Sequence, residues 1–256
     1  MVELKFVHTI SKGSRYNQIY VPKDKEGEFE VGDSVEIRLL RKKEQLHYSK
    51  NLPKLSEFKK RLIKEIFGFL SENKEIKQIF VFGSFLTKDV DYRDIDIILI
   101  SEREIEEQIY NSLIKKFSLK FHVISIPEKN LEESLKTSPM TRSMLYYFVS
   151  NRHFQVSNET KIEKNQILYL LMMPEDLLEL ELDGYVFYSN IRKLITIEIF
   201  LEGKDADPEK ISFLLKKIVK EPLLSSIENN EPLEKQDIKE LREIIKKKLK
   251  SIKSKL

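Results

Sequence analysis

Two short clusters hold the residues of this chain best suited to chemistry. Gly83-Ser84 ends one apolar run and Asp94-Ile95-Asp96 opens the next, with nine residues between Ser84 and Asp94. Side chains two apart on a strand point the same way, so Asp94 and Asp96 present two carboxylates to one face of a sheet while Ile95 and Ile97 enter the core. Two ionised carboxylates this close repel each other, and a polyvalent cation makes both charges acceptable. Oxygen-only donors of this kind suit Mg²⁺ or Mn²⁺. Gly83 removes the side chain that would block close approach, and Ser84, starting a turn with free backbone N–H groups, can hold a phosphate. Phosphate donors beside a carboxylate pair amount to a nucleoside-triphosphate site. Taken singly, an Asp-x-Asp is an ordinary solvated strand end and a Gly-Ser an ordinary turn. Their joint spacing on successive apolar strands carries the reading.

The elements that must position these residues follow from hydrophobic period. A helix begins near Ser56, whose hydroxyl can cap, and carries Phe58, Leu62, Ile66, Phe69 and Leu70 on one stripe to about Asn73. Ile76 to Phe82 reads as a strand, Asp94 to Ile100 as a second with Ile95, Ile97 and Leu99 on one face, and Leu119 to Ile126 as a third. Between the last two, Glu102 to Phe117 is a charged helix with Ile105, Ile109, Leu113 and Phe117 at helical spacing. Upstream, residues 1–45 read as a small β unit with strands near Leu4 to Ile10, Gln18 to Val21 and Ser34 to Leu40, the last alternating Val35, Ile37 and Leu39 with polar residues. Arg41 to Lys54 is a polar linker. From about Leu131 onward the period is helical, with segments at 131–150, 163–182, 185–202, 208–220 and 235–255. The expected fold class is α+β: a small β module (1–45), a mixed-sheet α/β domain (55–128) and a helical domain (131–256).

Composition narrows the classes. At 256 residues, 41% apolar and 10% aromatic, the chain can bury a real core without staples. Its 45 basic and 42 acidic residues leave a formal charge of only +3, so nucleic-acid affinity must come from local clustering. Absence of cysteine excludes thiolate metal sites, thiol nucleophiles and disulfides. The longest apolar run, Ile167 to Met173, is far short of the roughly 20 residues a spanning helix needs, and no signal-like segment opens the chain. No membrane partner and a cytoplasmic location are expected.

The Gly83-Ser84 … Asp94-Ile95-Asp96 pattern resembles the nucleotidyltransferase superfamily of DNA polymerase β, including its small "minimal" prokaryotic members, over roughly residues 56–126. The resemblance implies that Asp94 and Asp96 bind Mg²⁺ or Mn²⁺ as the catalytic carboxylates and that Gly83 and Ser84 hold the triphosphate. It implies transfer of a nucleoside monophosphate to a hydroxyl acceptor, with pyrophosphate leaving. Active members commonly add a third carboxylate on a following strand. Here Leu119 to Ile126 has none, and offers only His122, Ser125 and Lys120. A single histidine in an apolar strand reads first as a structural residue, so His122 stays outside the catalytic set. Where a small polar residue often precedes the first aspartate stands Arg93, which with Lys88 is either a phosphate contact or a surface charge. The alternative is a degenerate family member that regulates through DNA or a partner without turnover, as in toxin–antitoxin pairs.

The run Thr9 to Pro22, followed by Phe29 to Ile37 with its Gly32-Asp33, is similar to AbrB-type swapped-hairpin modules, in which two chains interleave into one barrel. That similarity implies a homodimer, and DNA binding through Lys12, Arg15 and Lys23. Dimerisation without DNA stands beside it, since Glu26, Glu28 and Glu30 lie close by. In the last segment Lys239 to Leu256 carries eight basic and two acidic residues, a candidate wall for an RNA or DNA backbone or a solvated face. Tyr188, Arg192 and Lys193 are conceivable acceptor contacts on a helix whose pattern is otherwise that of core. The acceptor itself, RNA, protein or small molecule, stays open.

Overall fold

The computed structural model describes residues 6–25, 27–38, 45–87, 92–180 and 182–256, and the chain divides into two compact units, Met1–Lys43 and Glu44–Leu256. In the first unit β1 (Ser11–Lys12) pairs antiparallel with β2 (Asn17–Gln18), and the Gly13 N–H donates to the Tyr16 carbonyl at 3.0 Å. A Cβ at Gly13 would lie 2.4 Å from that oxygen, which is why glycine closes this turn. The three strands expected here are not formed as read. Phe6 to Ile10 and Ser34 to Arg38 have no strand structure, and the pairing near Gln18 starts one residue earlier and stops there. Leu4, Leu39 and Leu40 lie outside the described residues. The physical reason is the missing ladder partner: Val35 and Ile37 alternate as a strand should, yet they are 62% and 67% exposed. No described residue of this unit is buried.

The second unit is built on a five-stranded sheet in the order β3 (His47–Tyr48), β7 (Phe148–Ser150), β4 (Gln78–Phe82), β5 (Ile95–Ile100), β6 (Phe121–Ile126). All neighbours are antiparallel except β5 and β6, whose parallel pairing is made by the crossover helix α2 (Glu106–Phe117). Helix α1 (Glu57–Leu70) starts where expected, the Ser56 hydroxyl accepting from the Lys59 N–H at 3.2 Å. Ser56→Ala is accordingly expected to cost about 1 kcal/mol, measurable as a lower midpoint in urea unfolding with an unchanged slope.

Strands β4 and β5 separate two hydrophobic layers. Ile79, Val81, Ile95, Ile97 and Leu99 pack with Leu62, Ile63, Ile66 and Phe67 of α1 and Ile109 and Leu113 of α2. Phe80, Phe82, Ile98 and Ile100 pack on the opposite face with Phe148 of β7 and with Leu131 and Leu135 of α3 (Glu128–Thr137). Burial on both faces explains the unbroken apolar run Ile97 to Ile100.

The region from Leu131 is not helical throughout, as its period had suggested. After α3 and the short α4 (Pro139–Met144) the chain gives β7 to the sheet beside β4, and the linker segment likewise contributes β3. Beyond them α5 (Lys164–Asp176), α6 (Gly184–Leu201), α7 (Pro208–Ile218), α8 (Leu223–Glu228) and α9 (Lys235–Lys253) share one core centred on α6, with Phe187, Ile191, Leu194, Ile195 and Phe200 buried. Among the described residues no helix is long and apolar enough to cross a membrane.

Candidate active site

The strand β4 ends at Phe82, directly opposite Asp96 on β5. Gly83 then takes φ 77° and ψ −161°, a backbone region open in practice only to glycine, and leads into a single 3₁₀ turn at Ser84–Leu86. A Cβ at Gly83 would fall 2.0 Å from the Asp96 Oδ2 atom. The turn therefore lies directly against the second aspartate, and only a residue without a side chain allows it. Lys59 of α1 supports this turn from the other side, donating to the Thr87 carbonyl at 2.9 Å with its ammonium 5.5 Å from the Phe85 ring centre. Tyr92 stacks edge-on against Phe85 at 4.9 Å, tying the chain just before Asp94 to the same turn. Ser84 is exposed, as is Arg93; Lys88 lies outside the described residues.

Ile95 and Ile97 are fully buried, whereas Asp94 and Asp96 are partly accessible. Burial holds the Asp96 carboxyl above the ordinary carboxylate range. A hydrogen bond from His122 pulls it down, and the neighbouring charge of Asp94 pushes it up further. Mutual opposition of Asp94 and Asp96 is the situation a divalent cation relieves. The donor chemistry thus fits a cation, although among the described residues no three His, Asp or Glu side chains are already gathered as a metal centre.

The register of β5 and β6 sets His122 beside Asp96, and His122 Nδ1 lies 3.1 Å from Asp96 Oδ1. His122 is not the packed structural residue that its strand suggested: its side chain is 57% exposed. Sequence named the residue but could not supply the register that brings it to the site. Ser125 does have a structural part, its hydroxyl donating to the Arg103 carbonyl at 2.8 Å and its N–H to Glu106 Oε1 at 3.0 Å.

The other candidates sit elsewhere. On α6 the ring of Tyr188 stacks on Tyr185 at 6.4 Å, Arg192 is exposed, and Lys193 donates to Asn190 Oδ1 at 3.2 Å, burial lowering its pKa. Half of the basic set between Lys239 and Leu256 is engaged within the protein. Lys248 pairs with Glu198, Lys253 with Glu175 at 2.7 Å and Lys255 with Glu202 at 2.8 Å, while Arg242 donates to the Leu177, Glu179 and Leu180 carbonyls. Lys239, Lys246, Lys247 and Lys250 are exposed. In the first unit Lys12, Arg15 and Lys23 are exposed as well.

Residues 64–138 match the family model described as Polymerase beta, Nucleotidyltransferase. No curated protein matches the chain. The matched segment runs from within α1 through the glycine-serine turn, both aspartates and His122 to the end of α3, so the part of this chain that builds the site is a nucleotidyltransferase domain of the DNA polymerase β-like superfamily.

Proposed function

We propose that residues 55–128 carry out metal-dependent transfer of a nucleoside monophosphate from a nucleoside triphosphate to a hydroxyl acceptor, with release of pyrophosphate. The observation that carries this reading is the seating of the Gly83 backbone against Asp96, with Asp94 two residues before it on the same strand path. In this reading Gly83 and Ser84 hold the triphosphate by main-chain and hydroxyl contacts, and Asp94 and Asp96 hold Mg²⁺ or Mn²⁺. When bound, such ions lower the pKa of the attacking hydroxyl and neutralise the leaving pyrophosphate. The protein's own residues position and orient: Lys59 and Tyr92 fix the turn, and the sheet fixes Asp96, with Asp94 just before the strand.

The region 131–256, helical apart from β7, serves as the acceptor- or partner-binding part, RNA or protein being acceptors its exposed lysines can meet. Residues 1–45 act as an AbrB-like module for homodimerisation, with DNA binding through Lys12, Arg15 and Lys23. Supporting a homodimer is the unit's lack of any buried described residue, since Tyr16, Val31, Val35 and Ile37 need cover from elsewhere. Work in the cytoplasm accords with a chain built without cysteine.

Incubation of the full chain with each α-labelled nucleoside triphosphate, Mg²⁺ or Mn²⁺, and prokaryotic RNA and protein tests the reading. Label on a macromolecule, accompanied by pyrophosphate, is the expected result. A second reading, nucleotide-binding regulation without turnover, is favoured by the histidine standing where a third carboxylate would. Nucleotide binding with no label under either metal would select it.

A further inference from the structure

We infer that His122 and Asp96 together form a nitrogen–oxygen chelating pair, so that this chain prefers a first-row transition ion such as Mn²⁺ to Mg²⁺. The inference rests on the reading of Asp94 and Asp96 as the cation's carboxylates, and it assigns a part to the residue that breaks the all-oxygen pattern.

The separation of the two donor atoms suits two adjacent ligands. Donors on neighbouring corners of an octahedron with bonds of about 2.1 Å lie about 3.0 Å apart. The Nδ1 atom of His122 stands 3.1 Å from Asp96 Oδ1. With its proton on Nε2, the ring presents a lone pair at Nδ1, and the contact that is a hydrogen bond without metal becomes an edge of a coordination sphere. Register makes the placement fixed rather than fortuitous: Asp96 and His122 are paired residues of the parallel strands β5 and β6. Packing gives no other reason for the ring. Phe121 and Val123 on either side contact the core of the α1 and α2 face, while His122 is exposed and its hydrogen-bond partner among the described residues is Asp96.

A nitrogen donor changes which ion is favoured. Mg²⁺ holds to oxygen ligands and water and dehydrates reluctantly, whereas divalent first-row transition ions accept imidazole readily. His122 thereby supplies the donor that a third carboxylate would otherwise give and shifts the selectivity of the site at the same time.

Electron paramagnetic resonance of Mn²⁺ titrated into the full chain, with Mg²⁺ as competitor, tests this without reference to activity. In the unaltered protein Mg²⁺ should displace Mn²⁺ only in large excess, and pulsed spectra should show coupling to an imidazole nitrogen. His122→Ala should lose that coupling and weaken Mn²⁺ on the order of tenfold with Mg²⁺ affinity little changed. His122→Asp, which restores an all-oxygen set, should narrow the preference for Mn²⁺. Absence of nitrogen coupling together with an unchanged ion ratio in His122→Ala overturns the inference. If Asp94→Asn/Asp96→Asn then loses Mn²⁺, the carboxylate reading still stands. Undiminished Mn²⁺ binding in that double variant overturns both.

Discussion

Asp94→Asn combined with Asp96→Asn is expected to lower cation-dependent nucleotide transfer by about a thousandfold while the protein stays folded. The size follows from removing the charges that fix the cation, whose stabilisation of transition-state charge amounts to several kcal/mol; about 4 kcal/mol corresponds to that factor. The stability side has a definite sign. Burial and the Asp94 charge raise the Asp96 pKa in the folded state against the opposing hydrogen bond from His122, so in the metal-free protein folding penalises the ionised carboxylate relative to the unfolded chain. A carboxyl raised in this way favours folding below its unfolded pKa, and that contribution is lost as pH rises through the folded value. Asparagine does not titrate, keeps an oxygen to accept from His122, and removes the repulsion. The double variant should therefore melt no lower than the parent at neutral pH without metal, and the gap should close as pH falls. Thermal unfolding across that range, beside the labelling assay, checks both halves. Transfer surviving in the double variant would remove the aspartates from the mechanism.

Gly83→Ala should be the most damaging small substitution in the site. The backbone there is in a region that costs a residue with a side chain about 1–3 kcal/mol, and the new Cβ would meet Asp96 Oδ2 at 2.0 Å and Asp96 Cγ at 2.9 Å. Moving the Asp96 oxygen alone does not relieve the clash, because the Cγ and Cβ atoms of Asp96 are close as well. For a unit of this size each kcal/mol lowers the midpoint by roughly 2–4 °C, so a fall of about 5 °C or more is expected, with transfer lost along with it. Ser84→Ala is the internal control. Ser84 is exposed and follows the strained position, so its midpoint should stay within a degree or so while any loss of transfer reports triphosphate contact alone. Equal melting of Gly83→Ala and the parent would contradict the close seating of the turn on Asp96.

Much of this was legible in the chain because the determinants are local. Ser56 caps the helix that its hydroxyl announced, and Ile95 and Ile97 enter the core opposite Asp94 and Asp96, as strand alternation requires. The aspartates and the glycine-serine turn come together because β4 and β5 are consecutive antiparallel strands, a connection short enough to be inferred. What stayed hidden depends on distant pairing. His122 meets Asp96 only through a parallel register set by α2, and no local pattern encodes it. Strands β3 and β7 are two and three residues long, below the length at which a period can show. In the first unit the opposite occurred: Val35 and Ile37 have the alternation of a strand, but alternation describes a chain facing a surface, and within this chain they remain exposed.

The place of β7 in the sheet has a consequence for how the protein comes off the ribosome. One side of β4 is paired to β5 as soon as residue 100 is available, but the other waits for Phe148–Ser150, which arrive only after α3 and α4. Until then the nascent sheet shows Phe80, Val81 and Phe82 along an open edge, the kind of surface that recruits a neighbouring chain. A gene fragment truncated at residue 138, where the family match stops, would make that transient edge permanent. The expressible unit accordingly runs past residue 150, and chaperone demand during translation should peak over the interval between the two strands.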